Sequence, residues 1–229
     1  MPMDFTDAAR KLGLTFKDLE LLEEALTHRS YLNENRSAKA HNERLEFLGD
    51  AVLELATTRM LYDKFPEKPE GDLTAYRAAL VNTYSIAEVA ERLGMNDMLL
   101  LSKGEKRDTG RARQIILANA FEALLGALYL DQGYDTTVTF LEKHLYPKLD
   151  SVLEKRSYQD AKSKFQEASQ EKEGTTPHYK TIDETGPDHD RHFTVAVFVK
   201  DEEVARGKGK SKQEAEQDAA GSGLKKKGW

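Results

Sequence analysis

Residues 41–55 read HNERLEFLGDAVLEL, and their spacing decides how the first half of the chain folds. At about 100° per residue on a helix, Glu43, Glu46 and Asp50 fall within roughly 60° of one another. They are set among Leu45, Phe47, Leu48, Val52, Leu53 and Leu55. Three carboxylates on one stripe repel each other, and apolar neighbours strip away their water; a bound cation relieves both. A plainer reading pairs Glu43 and Glu46 with Arg44 or Arg36 on a solvated helix face, where acids at i, i+3 and i, i+4 are common. Spacing alone leaves both readings open.

A second acidic position lies further along. Residues 116–131, ILANAFEALLGALYLD, carry Asn119 and Glu122 at i, i+3 in a segment that is otherwise apolar on nearly every side. That is the pattern of a buried helix. Hard oxygen donors without histidine or cysteine suit Mg²⁺ or Mn²⁺ far better than zinc. The chain has no cysteine at all, which excludes a disulfide scaffold, a thiol nucleophile and cysteine-ligated zinc or iron–sulfur sites.

The 229 residues, 39% apolar and 8% aromatic, are enough for one or two domains with a real core, and they exclude a collagen-like or wholly disordered chain. Residues 1–16 lack an apolar stretch of signal-peptide length, and no run of about 18 apolar residues appears. The expectation is a soluble, cytoplasmic protein with no membrane and no small-molecule organic cofactor. The net charge of -6 lies wholly in residues 1–155, because residues 156–229 balance 14 basic against 14 acidic side chains. An acidic half that must meet a polyanion needs metal ions on its carboxylates.

Residues 1–155 read as all helix. Leu21, Leu22, Ala25 and Leu26 recur at helical spacing, as do Leu80, Tyr84, Ala87 and Ala90 in a run over 78–93. Gly71, Gly94 and Gly133 mark breaks, with Pro66 and Pro69 in a loop. Residues 149–159 (LDSVLEKRSYQ) end a helix, turn polar and read as a linker. Beyond them come a helix over 161–172, strands over 179–184, 193–199 and 203–207, and a helix from about 212. The alternation of Phe193, Val195, Val197 and Val199 is the clearest strand signal. The fold class is thus an all-α domain, residues 1–155, followed by a small α-β-β-β-α domain, residues 156–229.

NERLEFLGDAV (residues 42–52) closely resembles the signature of the ribonuclease III family. ILANAFEALLGALYLD resembles that family's second acidic segment, and LTHRSY (26–31) and EGDL (70–73) are similar to further parts of it. The trailing α-β-β-β-α unit resembles its double-stranded-RNA-binding domain. The resemblance implies an Mg²⁺-dependent endoribonuclease, with Mn²⁺ as a substitute, that hydrolyses double-stranded RNA to 5′-phosphate and 3′-hydroxyl ends. It implies that Glu46 and Glu122 bind the ion directly, that Asp50 organises its water, and that Glu43 and Glu70 line the cleft or support the site. A homodimer is implied as well, with ribosomal RNA precursors and structured messenger or antisense duplexes as substrates. The apolar residues around Phe47 and Leu48 suit either such an interface or the core.

Asn119 departs from the pattern, which usually has Asp there, so the site has one negative charge fewer. Three readings follow: the family tolerates the amide, the chain binds duplex RNA but cuts it weakly or not at all, or the helix is misaligned. A structural, ribosome-associated relative is a further alternative, against which the intact Glu43, Glu46, Asp50 and Glu122 count. For RNA binding, the resemblance implies contacts from Gln166 and Glu167, from Pro187 and His189 in the loop 186–189, and from Lys208, Lys210, Ser211 and Lys212 at a helix N-terminus. Gln213, Glu214 and Glu216 stand where more basic residues are often found. His28 and His41 read as structural or interfacial. The basic loop 102–113 (SKGEKRDTGRAR) offers Lys103, Lys106, Arg107, Arg111 and Arg113 to the RNA backbone.

Overall fold

The computed structural model describes residues 4–36, 38–154, 161–187 and 191–229. The chain divides into two compact units, Met1–Tyr158 and Gln159–Trp229. The expected boundary at residue 155 falls within residues 155–160, outside the described ones.

The first unit is helical: α1 (Phe5–Lys11), α2 (Leu19–Leu26), α3 (Arg29–Leu32), α4 (Glu43–Lys64), α5 (Glu70–Val81), α6 (Thr83–Arg92), α7 (Arg111–Gln132), α8 (Tyr134–His144) and α9 (Lys148–Glu154). Polar caps start several of them. Asp4 accepts the Thr6 N–H at 2.9 Å, and Asp18 accepts that of Glu20 at 2.9 Å, each meeting an N–H that the helix leaves unpaired. Among the described residues this unit has no strand, only a single parallel bridge between Thr27 and Leu100.

α7 forms the axis of the core. From Ile116 to Leu128 it is buried at every position except Asn119 and Glu122, and it packs on α2, α4, α6 and α8. By length and composition α7 could cross a membrane, but more than half of its apolar window is buried inside the unit. α4 crosses α7 where Gly49 meets Gly126. A Cβ on Gly49 would stand 1.7 Å from the Glu122 carbonyl oxygen, and one on Gly126 would stand 2.2 Å from that of Leu45. Only glycine allows the backbones to come this close.

Three expectations need correction. The run over 78–93 is two helices, because Asn82 adopts an extended backbone (φ -67°, ψ 159°). Its side chain serves both ends, donating to the Ala79 carbonyl at 2.9 Å and accepting the Ser85 N–H at 3.0 Å. Tyr84, read as part of the apolar stripe, is therefore exposed. Gly71 does not break a helix but lies in the first turn of α5. The polar linker begins later than residue 149, since Leu149 and Val152 are buried on α9.

The second unit comprises α10 (Ala161–Glu173), β1 (His178–Thr185), β2 (His192–Val199), β3 (Glu202–Gly209) and α11 (Lys212–Lys227). The strands form an antiparallel sheet in the order β1-β2-β3, each extending slightly beyond the range expected from the sequence. Phe165, Val197, Val199, Val204, Ala219 and Ala220 make the core. Small residues set the helix–sheet distance: a Cβ on Gly207 would lie 2.0 Å from the Ala219 nitrogen. Phe165 packs over Gly223 and stacks on Trp229, ring centroids 5.2 Å apart.

Candidate functional site

The α4–α7 crossing brings the acidic positions together. Glu46 and Asp50 lie within one turn of Gly49 on α4, while Asn119 and Glu122 lie on α7, N-terminal to Gly126. Glu122 is half-buried, and its carboxyl is pushed up to about 7, first by burial and then by Asp50, Glu46 and Glu54. Glu46 is also raised by burial, then by Glu43 and Asp50, with a hydrogen bond from the Asn119 side chain opposing the rise. Asp50 itself is exposed.

Among the described residues no Lys or Arg forms an ion pair with Glu46, Asp50 or Glu122. The expected partners of Glu43, Arg44 or Arg36, do not pair with it; Arg29 does, at 3.3 Å. Glu54 was missed in the sequence although it continues the stripe at i+4 from Asp50. Arg77 holds it at 2.8 Å. Glu70 stands apart at the start of α5, accepting the Thr74 hydroxyl at 2.8 Å, and is not among the charges that raise Glu46 or Glu122. Among the described residues, no three His, Asp or Glu side chains form a ready-made metal cage, so the carboxylates would turn toward an ion on binding. The donor set fits a hard dication: crowded carboxylates and an amide oxygen that lack a cation of the chain's own.

An open hollow of about 490 Å³ adjoins these groups, lined by His28, Asn42, Glu43, Glu46, Glu105 and Asn119 among others. His28 caps α3, its Nδ1 accepting the Ser30 N–H at 3.3 Å, and burial lowers its pKa. Its structural reading therefore has a definite form, while its position places it beside the acids. The basic loop is tied down at its base by the Ser102 N–H on Ser30 Oγ (3.1 Å) and the Lys103 N–H on Glu34 (3.2 Å). Lys103, Lys106, Arg107 and Arg111 are exposed. Arg113 is instead turned inward, donating to the carbonyls of Asp108 (3.2 Å) and Lys106 (3.3 Å).

In the second unit Gln166, Glu167 and Pro187 are exposed, as are Lys208, Lys210 and Lys212; His189 lies outside the described residues. Ser211 is the N-cap of α11 and accepts the Glu214 N–H at 3.1 Å. The Lys208 and Lys210 N–H groups donate to Asp218 (2.9 Å) and Glu214 (2.8 Å). These two backbone donors are thus already paired, while the lysine side chains stay exposed. The acids in place of basic residues also gain a reason, since Glu214 braces the helix start and Glu216 pairs with Lys162 at 2.6 Å.

The family described as Ribonuclease-III-like matches residues 18–149, and the double-stranded RNA binding motif matches residues 161–227. The chain belongs to the ribonuclease III family. It is a double-stranded-RNA-specific endoribonuclease with an appended RNA-binding domain. Among its relatives, Ribonuclease 3 of Staphylococcus epidermidis is 47% identical over 219 residues, covering 94% of this chain and 88% of that protein. Ribonuclease 3 of Enterococcus faecalis is 47% identical over 221 residues, covering 96% of each. The nuclease domain of the Campylobacter jejuni enzyme, in a structure concerned with a region involved in dimer formation, covers 63% of this chain and 97% of that one, at 40% identity and a TM-score of 0.57.

Proposed function

We propose that this ribonuclease III cuts duplex RNA by Mg²⁺-dependent hydrolysis, with Mn²⁺ able to substitute, leaving 5′-phosphate and 3′-hydroxyl ends. The observation that carries the reading is the half-buried Glu122, crowded by Asp50, Glu46 and Glu54: Arg77 pairs with Glu54, but among the described residues no Lys or Arg pairs with Glu46, Asp50 or Glu122. Glu46, Asn119 and Glu122 would hold the ion through carboxylate and amide oxygens. When bound, it supplies Lewis-acid charge at the scissile phosphate, which is why no side-chain nucleophile is needed. Asp50, exposed and one turn from Glu46, orients the attacking water. Glu43 lines the cleft, fixed by Arg29, and Glu70, apart at the start of α5, supports the site from outside that cluster. The four exposed cations of the loop hold the RNA backbone, and Gln166, Glu167, Pro187, His189 and the lysines at the start of α11 grip the duplex by its shape.

The working form in this reading is a homodimer. Phe47 is 82% exposed, and Leu55 (60%) and Tyr62 (68%) follow it along one side of α4. Core packing therefore does not account for Phe47, and three large exposed apolar side chains on one side of a helix suit a self-complementary interface. The cellular substrates we propose are ribosomal RNA precursors and structured messenger RNA, met in the cytoplasm.

The test is a denaturing gel of a long perfect RNA duplex incubated with the full chain and Mg²⁺, Ca²⁺ or a chelator. Short discrete products bearing 5′-phosphates, formed with Mg²⁺ alone, are the expected result. An uncut duplex that still shifts on a native gel would replace this reading with duplex binding without cleavage.

A further inference from the structure

Beyond Glu46 and Asn119, the open hollow is lined by His28, Asn42 and Glu105, together with Arg29, Glu43 and Ile115. Arg29 is already spent on Glu43, at 3.3 Å. His28 is held in one tautomer by its neighbours. The Ser102 N–H donates to Ser30 Oγ at 3.1 Å, leaving that hydroxyl's own proton for His28 Nδ1, 2.9 Å away. The Ser30 N–H donates to the same nitrogen at 3.3 Å. A ring nitrogen that accepts carries no proton, so the ring keeps its N–H at Nε2, and Nε2 has no partner among the described residues. The same network carries Glu105, whose N–H donates to Ser102 Oγ at 3.2 Å. The His28 N–H donates in turn to the Leu100 carbonyl at 3.0 Å, so the two segments are tied together at several points.

Among the described residues the Glu105 carboxylate has no hydrogen-bond or ion-pair partner. Asn42 adds a third open group: it is 2% exposed, its N–H is fixed on the Thr27 carbonyl at 2.9 Å, and its Nδ2 has no partner. A buried amide donor left unpaired is costly, so this wall lacks an oxygen. A hollow that offers a fixed N–H and a free carboxylate selects a group that accepts and donates at once. A phosphate oxygen only accepts and is repelled by Glu43, Glu46 and Glu105, whereas a hydroxyl does both. Duplex RNA carries such a group on every ribose, the 2′-hydroxyl, which DNA lacks. We propose that His28 and Glu105 are specificity-determining residues that read one 2′-hydroxyl beside the scissile phosphate. His28 Nε2–H donates to it, it donates to Glu105, and its oxygen gives Asn42 Nδ2 the acceptor it lacks. Ile115, 44% exposed, offers the sugar an apolar side. The placement rests on the reading above that sets the ion, and with it the scissile phosphate, at Glu46 and Asn119.

The test is a cycle on a duplex of fixed sequence, all-ribo or with one 2′-deoxy nucleotide placed in turn along its central helical turn. Wild type, His28→Asn, Glu105→Ala and the double variant, all full-length, are read by single-turnover cleavage in Mg²⁺ and by duplex affinity on native gels in Ca²⁺. His28→Asn keeps an acceptor for the Ser30 N–H, asparagine being a favoured N-cap, and lacks the Nε2–H; its melting temperature stays within about 2 °C of wild type. In wild type one deoxy position slows cutting about tenfold or more, the worth of a lost hydrogen bond. Each single variant cuts the all-ribo duplex about tenfold more slowly, its deoxy step at that position shrinks to about threefold or less, and in the double variant the step vanishes. Deoxy substitution elsewhere costs every chain the same. A merely structural His28 would slow ribo and deoxy duplexes alike and keep the full step, which would overturn the proposal, as would a wild type indifferent to every deoxy position. A wild type that cuts nothing in Mg²⁺ fails the metal-dependent reading alone. The Ca²⁺ affinities then decide the pair: a deoxy step present in wild type and lost in the double variant keeps it, and any other pattern removes it.

Discussion

Replacing Gly49 with alanine places a methyl group 1.7 Å from the Glu122 carbonyl oxygen, 2.6 Å from its carbon and 2.8 Å from the Gly126 nitrogen. All three are backbone atoms in the stretch of α7 from Ile116 to Leu128, which is buried at all but two positions, so no flexible side chain can give way. Ordinary contacts need about 3.5 Å, which means α4 and α7 must part by roughly 1.5 Å. Overpacking a close-packed interior costs about 1–3 kcal/mol, and a clash against rigid backbone belongs at or above the upper end. At about 2–4 °C per kcal/mol for a chain of this size, the nuclease unit should melt roughly 6–12 °C lower. Function suffers separately. Glu46 and Asp50 ride on α4 and Glu122 on α7, so the parting splits the acidic set, and a misplacement of about 1 Å can cost on the order of 100-fold in rate. Calorimetry and duplex cleavage at a temperature where the variant is folded read the two effects. Gly71→Ala is the control, since a Cβ there meets nothing within 4 Å; it should be neutral or slightly stabilising. A Gly49→Ala chain that melts within about 2 °C of wild type and cuts at the same rate would refute the reasoning.

Glu122→Gln should change how stability depends on pH in chelator. The carboxyl sits at 4.5 when unperturbed and about 7 in the fold, so between those values the folded state holds the extra proton and stability falls as pH rises. The loss is on the order of 2 kcal/mol after allowing for partial exposure. Urea unfolding should show this slope in wild type and not in the variant; identical slopes would remove Glu122 as the cause. Removing Lys208, Lys210 and Lys212 together by alanine should weaken binding equally for unrelated duplexes. The slope of log K against log salt should become shallower by up to about 0.9 for each phosphate no longer neutralised, as filter binding would measure. Ser211→Ala should destabilise the RNA-binding unit by about 1 kcal/mol through loss of the α11 cap. Gly207→Ala should force β3 from α11, speeding amide exchange along α11 while protection of α4 and α7 is unchanged.

Much of the site was legible because helical periodicity is itself geometric: Glu43, Glu46 and Asp50 share a stripe whatever surrounds them. The same arithmetic reaches Glu54, which continues that stripe. Periodicity could not say whether Phe47 faces a core or open space, because an interface and an interior leave the same apolar spacing. The break at Asn82 was invisible for a similar reason: helical spacing passes through it, and only the side chain's bonds to both helix ends reveal the turn. Gly49 and Gly126 carry no periodic signal, so the crossing that joins the acidic helices had to be seen in three dimensions. The strands were legible from the alternation in 193–199, whereas the pairing of Glu214 and Glu216 was not, since each looks like a missing cation until its partner is known.

Trp229 is the chain's single tryptophan, and its ring lies against Phe165 in the RNA-binding unit, with Lys227 Nζ 5.4 Å from its centroid. Its emission therefore reports on that unit alone, and unfolding there moves the indole from an aromatic contact into water and shifts its colour to the red. The far-ultraviolet helix signal is weighted instead toward the nine helices described in the nuclease unit. The chain thus carries an intrinsic two-channel optical readout, one channel for each unit. The order in which heat or urea unfolds the two units, and which of them RNA or magnesium protects, can be followed in one cuvette, without labels and without cutting the protein in two.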